Sequence, residues 1–149
     1  ECSCPPTRLV QYQRKISGPI IDRIDMWIEV GQVKHTDLSG SSAGREKTEE
    51  IKKRVAKARE IQRKRFGEYG KILTVNSEMG VKELKKLIPL SEKTKNTLNS
   101  AATQMGLSAR AYHRIIKLAR TIADLEGRDI VEEKHILEAV QYRPRQKQY

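Results

Sequence analysis

One tryptophan, one phenylalanine and two cysteines are scarce material for a chain of 149 residues. With so few aromatics, an interior has to be built from Ile, Leu, Val and Ala, which favours helices packed together over an aromatic-rich sandwich. Cys2 and Cys4 stand one residue apart and no other cysteine exists, so a disulfide framework is excluded. No stretch approaches the ~20 apolar residues that a membrane span requires. The basic N-terminal stretch lacks the apolar centre of a signal peptide, and the expectation is a soluble, cytoplasmic protein with no membrane partner. Complete catalytic sets are missing as well: there is no GxxxxGK(S/T) phosphate loop, no HExxH and no GxSxG. His35, His113 and His135 are scattered and read as ordinary loop or helix residues. Taken alone, the chain should therefore be catalytically silent and hold no cofactor.

What is abundant is charge. Thirty Lys and Arg against nineteen Asp and Glu leave a formal +11, enough to attract polyanions across a Debye length of about 8 Å. Lys52, Lys53, Arg54, Lys57, Arg59, Arg63, Lys64 and Arg65 crowd into one segment, where they could line a nucleic-acid path. Their spacing instead spreads them around a helical cylinder. Glu46, Glu49, Glu50 and Glu60 interleave with them, the pattern of a salt-bridged, exposed helix.

Periodicity divides the chain in two. Residues 2–15 are polar and basic, and Ser17-Gly18-Pro19 is expected to interrupt any helix, since Pro19 disfavours the α region at Gly18. From Ile20 to Val30 the second half alternates Met26, Ile28 and Val30 against Trp27 and Glu29, which predicts a strand. A lone strand leaves its ladder of N–H and C=O groups unpaired, so its neighbours are expected upstream of Glu1, and the chain reads as an excised piece. Ile20, Ile21, Ile24 and Trp27 would meanwhile seek a surface on the helices or on another copy. Gly31 to Gly44, rich in Ser and Gly, reads as a linker.

From Arg45 the period is helical. Ile51, Val55, Ala58, Ile61 and Phe66 mark a stripe that Gly67 should end. A short helix follows over Val81 to Ile88, stopped by Pro89. Another runs from an N-cap at Ser91 through Leu98 and Ala101 to Met105, with Gly106 behind it. The strongest signal starts at the N-cap Ser108, where Tyr112, Ile115, Ile116, Ala119, Ile122 and Ala123 recur at helical spacing and predict core. A last helix from about Glu132 to Val140 presents Ile136, Leu137 and Val140, and Arg143, Arg145 and Lys147 follow it as a basic end.

Two stretches carry a family resemblance. Ile16-Ser-Gly-Pro-Ile-Ile-Asp-Arg-Ile-Asp25 before an alternating strand resembles the end of the main ATPase domain in magnesium-chelatase-like (ComM-type) AAA+ proteins. Gly106-Leu-Ser-Ala-Arg-Ala-Tyr-His-Arg-Ile-Ile-Lys-Leu-Ala-Arg-Thr-Ile-Ala-Asp-Leu-Glu-Gly127, trailed by Ile130, His135 and Glu138-Ala-Val-Gln-Tyr-Arg143, resembles the sensor-2 and closing helices of the same family. Both blocks stand in that family's order and spacing, and with Cys2 and Cys4 the resemblance spans nearly the whole chain.

The resemblance implies a role for Arg23. From the residues alone it can pair locally with Asp22 or Asp25; in the family, an Arg at this place reaches the γ-phosphate on the next subunit as an arginine finger. Arg110 matches the sensor-2 position, with Arg114 one turn on as a second candidate, acting in cis or in trans. Cys2 and Cys4 resemble the second half of a four-cysteine cluster, two corners of a tetrahedral zinc site whose first half would lie upstream in the full-length protein.

The fold expected is therefore mainly α: a helical lid over 45–143 with a basic tail at 144–149, preceded by a linker at 31–44 and a remnant of an α/β core at 1–30 with its isolated strand. The parent implied is a ring-forming ATPase, a hexamer, using ATP and Mg²⁺ and remodelling DNA by branch migration or in competence. Two other functions fit the sequence less completely. A non-enzymatic basic module binding nucleic acid accounts for the charge but not for the strand, and a chelatase subunit inserting metal into a tetrapyrrole would dispense with the cysteine cluster.

Overall fold

A computed structural model of the chain describes residues 3–13, 15, 17–33, 46–70 and 73–144. Seven α-helices occur among them: α1 (Pro6–Gln13), α2 (Gly18–Ile21), α3 (Thr48–Tyr69), α4 (Val81–Leu87), α5 (Glu92–Met105), α6 (Ala109–Leu125) and α7 (Glu133–Gln141). A 3₁₀ turn at Asn76–Glu78 joins α3 to α4. None of the helices is long and apolar enough to cross a membrane.

The bundle is organised around α6, which packs against α3, α4, α7 and the 3₁₀ turn, while α5 closes on α7. Its stripe behaves as the period requires: Ile115, Ile116, Ala119, Ile122 and Ala123 are buried and Tyr112 packs at the margin. They meet Phe66 of α3, Leu84 of α4, Leu98 of α5, and Ile136 and Ala139 of α7. Each fully buried aliphatic or aromatic side chain contributes about 1.5–3 kcal/mol, so this one helix face organises most of the apolar gain.

Local chemistry sets the helix ends. The Ser108 side chain accepts from the Ala111 N–H at 3.2 Å, and the Ser91 side chain from Thr94 N–H at 3.2 Å. At the other end of α6, Gly127 takes φ +70° and lets Arg128 N–H reach back to the Ala123 carbonyl at 2.8 Å. A residue with Cβ adopts that left-handed backbone at a cost, which glycine avoids.

Four details differ from the sequence-based expectations. The expected strand is not formed: residues 24–33 take no regular secondary structure and no strand occurs among the described residues, where no second strand is present to complete a ladder. Residues 6–13 form a helix where only a polar lead-in was expected. Pro19 opens α2 instead of blocking a helix, since the first turn needs no N–H from it. Gly67 lies inside α3, which runs on to a left-handed cap at Gly70. In that helix burial begins only at Ala58; Ile51 and Val55 are exposed, as is Leu137 in α7. The expected linker lies mostly outside the described residues, as do Cys2, His35 and the tail at 145–149.

A polar network crosses the core beside the apolar stripe. Asp124 is fully enclosed, and its carboxylate accepts from Arg65 Nη1 at 3.1 Å, Asn76 Nδ2 at 2.7 Å and Arg120 Nε at 3.1 Å. Arg120, only 2% exposed, also donates to the backbone carbonyls of Arg128 and Asp129. Burial pushes the Arg120 guanidinium down from its ordinary value, and the Asp124 charge beside it opposes that shift. The network ties α3 and the 3₁₀ turn to α6 and holds the turn that leads into α7.

Candidate functional site

The segment bearing Arg23 leaves α2 as one further helical turn, with Arg23 N–H bonded to Ile20 O at 3.0 Å and Ile24 N–H to Ile21 O at 3.2 Å. It then lies against the bundle at three points. Asp25 forms an ion pair with Arg114 on α6. Arg143, in the turn after α7, donates through Nη1 to the Ile24 carbonyl at 2.7 Å and faces Asp22 Oδ1 at 3.5 Å. The Trp27 N–H donates to the Tyr142 carbonyl at 2.8 Å.

Both acids flanking Arg23 are thereby engaged by arginines of the helical bundle. Arg23 itself is exposed, and its side chain's one polar contact among the described residues is a long 3.4 Å hydrogen bond to the Pro19 carbonyl. The local pairing open to it from sequence, with Asp22 or Asp25, is not made.

Beside Asp25 lies an open cavity of about 340 Å³ lined by Asp25, Ser77, Arg114, Lys117, Leu118 and Thr121. Lys117 donates to the Ser77 carbonyl at 2.8 Å. Its ammonium is held below the ordinary lysine value, first by burial and then by the Arg114 charge, with Asp25 pulling the other way. Arg143 is lowered by burial, against the pull of Asp22. Three cations, Arg114, Lys117 and Arg143, thus crowd this side of the bundle against only two carboxylates, Asp22 and Asp25. Such a place suits an added anion that can substitute for Asp25 on Arg114.

Arg110 occupies the first turn of α6, two residues past the N-cap Ser108. It is exposed, and among the described residues it makes no ion pair. The helix N-terminus there carries partial positive charge, so Arg110 and the backbone favour a phosphate together. Of the two sensor-2 candidates, the structure brings Arg114 to the segment of Arg23 and leaves Arg110 a turn away.

Cys4 is an exposed free thiol. No group of three or more His, Cys, Asp or Glu able to hold a metal occurs among the described residues, so Cys4 has no further donors gathered round it.

Two features escape the sequence reading. Arg143 is not part of a solvated basic end: it is 5% exposed, because it lies under residues 22–27. Nothing in its local sequence announces this. Arg120 and Asp124 form the buried network, and here a signal existed, since they continue the Ile116 row at i+4 and i+8 on the flank of the apolar stripe.

Comparison with known proteins adds a direct result. Residues 45–143 match the family described as magnesium chelatase, subunit ChlI C-terminal, and residues 1–38 match magnesium chelatase, subunit ChlI. The competence protein ComM of Haemophilus influenzae is 36% identical over 138 residues, which is 93% of this chain and 26% of that protein. The uncharacterized protein YifB of Escherichia coli is 34% identical over 140 residues, covering 94% and 26%. An uncharacterized protein of Mycobacterium tuberculosis is 29% identical over 128 residues. The chain spans about a quarter of the length of the curated relatives it matches. With two-thirds of its residues inside the C-terminal family match and similarity to ComM and YifB along most of its length, the chain belongs to the magnesium chelatase ChlI family, as a magnesium-chelatase-like protein of the ComM type.

Proposed function

We propose that this chain is the C-terminal segment of an AAA+ ATPase, in which residues 1–30 end the ATPase core, 31–44 link, 45–143 form the sensor-2 lid and 144–149 a basic tail. Arg23 acts in trans as the arginine finger, and Arg110 with Arg114 contacts nucleotide phosphate. One observation carries this assignment: the two acids flanking Arg23 are engaged by Arg143 and Arg114, while the Arg23 guanidinium stays exposed and without a carboxylate partner among the described residues.

The chemistry follows from charge. As a phosphoryl group transfers, charge spreads over its equatorial oxygens, and a planar guanidinium with a fixed fork of donors stabilises it. ATP and Mg²⁺ belong to the full-length protein; this sequence carries no Gly-rich phosphate loop. The residues present fit the phosphate end only, through the α6 N-terminus, Arg110 and Arg114. Cys2 and Cys4 supply at most two of the four donors of a tetrahedral zinc site, and no step is assigned to zinc. The full-length protein is proposed to assemble as a ring, a hexamer, and to remodel DNA; the family and the relative named as a competence protein support that work.

The test is subunit mixing in the full-length protein. Arg23→Ala should lower ATP turnover about 10³- to 10⁵-fold while ATP binding persists. Doping wild-type rings with Arg23→Ala subunits should depress activity faster than dilution. A fall in simple proportion to the mutant fraction would place Arg23 at its own subunit's nucleotide and end the trans assignment. Arg110→Ala should weaken binding as well as turnover, because a lid residue touches the ground-state nucleotide.

A further inference from the structure

Arg143 makes an arrangement that neither stability nor solubility explains. Its side chain is enclosed, and among the described residues neither its Nε nor the buried indole Nε1 of Trp27 has a hydrogen-bond partner. Burying a guanidinium costs free energy, and leaving one of its donors unsatisfied adds to the cost. The charge is nevertheless spent on two groups of an exposed segment: the side chain of Asp22 and the carbonyl of Ile24. Those groups lie on either side of Arg23. A single planar fork therefore holds the chain immediately before and immediately after the exposed arginine, and the next residue back, Tyr142, fixes Trp27 through its carbonyl.

Resting on the finger assignment for Arg23, we propose that Arg143 is its positioning residue: it clamps Asp22 and Ile24 to the end of α7, so that the finger and the lid move as one body. The clamp has rigid support. Arg143 N–H is bonded to the Val140 carbonyl at 3.0 Å, and α7 packs along α6, which carries Arg110 and Arg114. Arg114 adds the second anchor through Asp25. A shift of the lid that accompanies nucleotide contact at Arg110 or Arg114 is then delivered to Arg23 and so to the neighbouring subunit. Lysine cannot reproduce the clamp, because one ammonium on a flexible stem lacks the two-pronged geometry that spans a side-chain oxygen and a backbone oxygen together.

The chain contains a single tryptophan, and it sits in the clamp. In this chain, Arg143→Gln should shift Trp27 emission to the red and raise its quenching by acrylamide severalfold, with helical circular dichroism retained; Arg143→Lys, which keeps the charge, should give the same change in weaker form. In the full-length ring, Arg143→Gln should lower kcat about 100-fold or less, the scale of an ångström-level misplacement, while KM for ATP stays within about twofold. Unchanged Trp27 fluorescence in both variants would overturn the clamp whatever Arg23 does. Wild-type kcat in Arg143→Gln, with turnover abolished in Arg23→Ala, would overturn the positioning role and leave the finger standing. Wild-type turnover in Arg23→Ala would instead remove the finger assignment, and with it the clamp's function, while the fluorescence result still reports whether the contact exists.

Discussion

The helices beyond residue 46 and the segment from 3 to 33 draw on the same aliphatic residues and use them differently. In the bundle Leu98, Ile115 and Ile136 are fully enclosed. In the segment Ile28 is 69% exposed and Val30 87%, and Met26 and Val33 are open as well. The difference lies in what each period demands. A helix satisfies its own backbone and needs only another helix face at 8–10 Å, roughly what neighbouring stretches of one chain supply. An alternating segment needs a second strand about 4.8 Å away to pair with, and the described residues contain none. The bundle thus satisfies its own backbone, and among the described residues the segment's hydrogen bonds and ion pairs to it come from Arg114, Tyr142 and Arg143.

The sharpest way to break that contrast is to attack the bundle where it depends on polar order. Asp124→Ala strips the shared acceptor from Arg65, Asn76 and Arg120 and leaves Arg120 charged and enclosed. A loss of about 3–5 kcal/mol is expected, from the cost of an uncompensated buried charge. Urea denaturation followed by helical circular dichroism measures it. A loss under about 1 kcal/mol would mean that Arg120 reaches water on mutation and that the network is not structural. Leu98→Ala comes next, at about 2–5 kcal/mol for a fully enclosed leucine. Ser108→Ala should cost about 1 kcal/mol by removing the cap on the Ala111 N–H.

Acid should weaken the bundle through two of its carboxylates. Glu126 is held below the ordinary carboxylate value by its hydrogen bonds from Lys134 and His135, and Glu133 by those from Lys93 and Thr97. A lowered folded-state pKa means stability that is fully present above the ordinary glutamate value and is lost as pH falls through the lowered one. The melting temperature should therefore decline as acid titrates these groups. Glu133→Gln should show a shallower decline, and an identical acid profile for that variant would sever Glu133 from the effect.

How far the sequence alone leads follows the same division. Ser91, Ser108 and Gly106 act as caps, and the α6 stripe is core, because helical period and cap chemistry are local properties that short windows contain. Gly67 misled because a glycine in a helix costs only about 1 kcal/mol and tertiary contact outweighs it. The alternation at Met26, Ile28 and Val30 predicts a strand that does not form among the described residues, because strand formation depends on a partner that no local window describes. Arg23 was legible as a candidate through resemblance, whereas Arg143 was not, since its burial comes from a segment some 120 positions earlier in the chain.

The smallest effect tests the segment from the other side. Ile28→Ser should change the stability of the bundle by no more than about 0.5 kcal/mol, the ordinary range for exposed positions away from special features. Ile28 has most of its surface in water already, so little apolar area is lost when it is replaced, and the transfer gain scales with the area removed from water. Trp27, one position earlier and half-buried, is the internal control: Trp27→Ala should weaken docking of residues 22–27, read as faster amide exchange at Ile24 and Asp25, while Ile28→Ser should leave those amides unchanged. If Ile28→Ser instead destabilises the bundle by more than 1 kcal/mol, well outside that surface range, the segment is an integral wall of the fold and the two regions cannot be treated as separable.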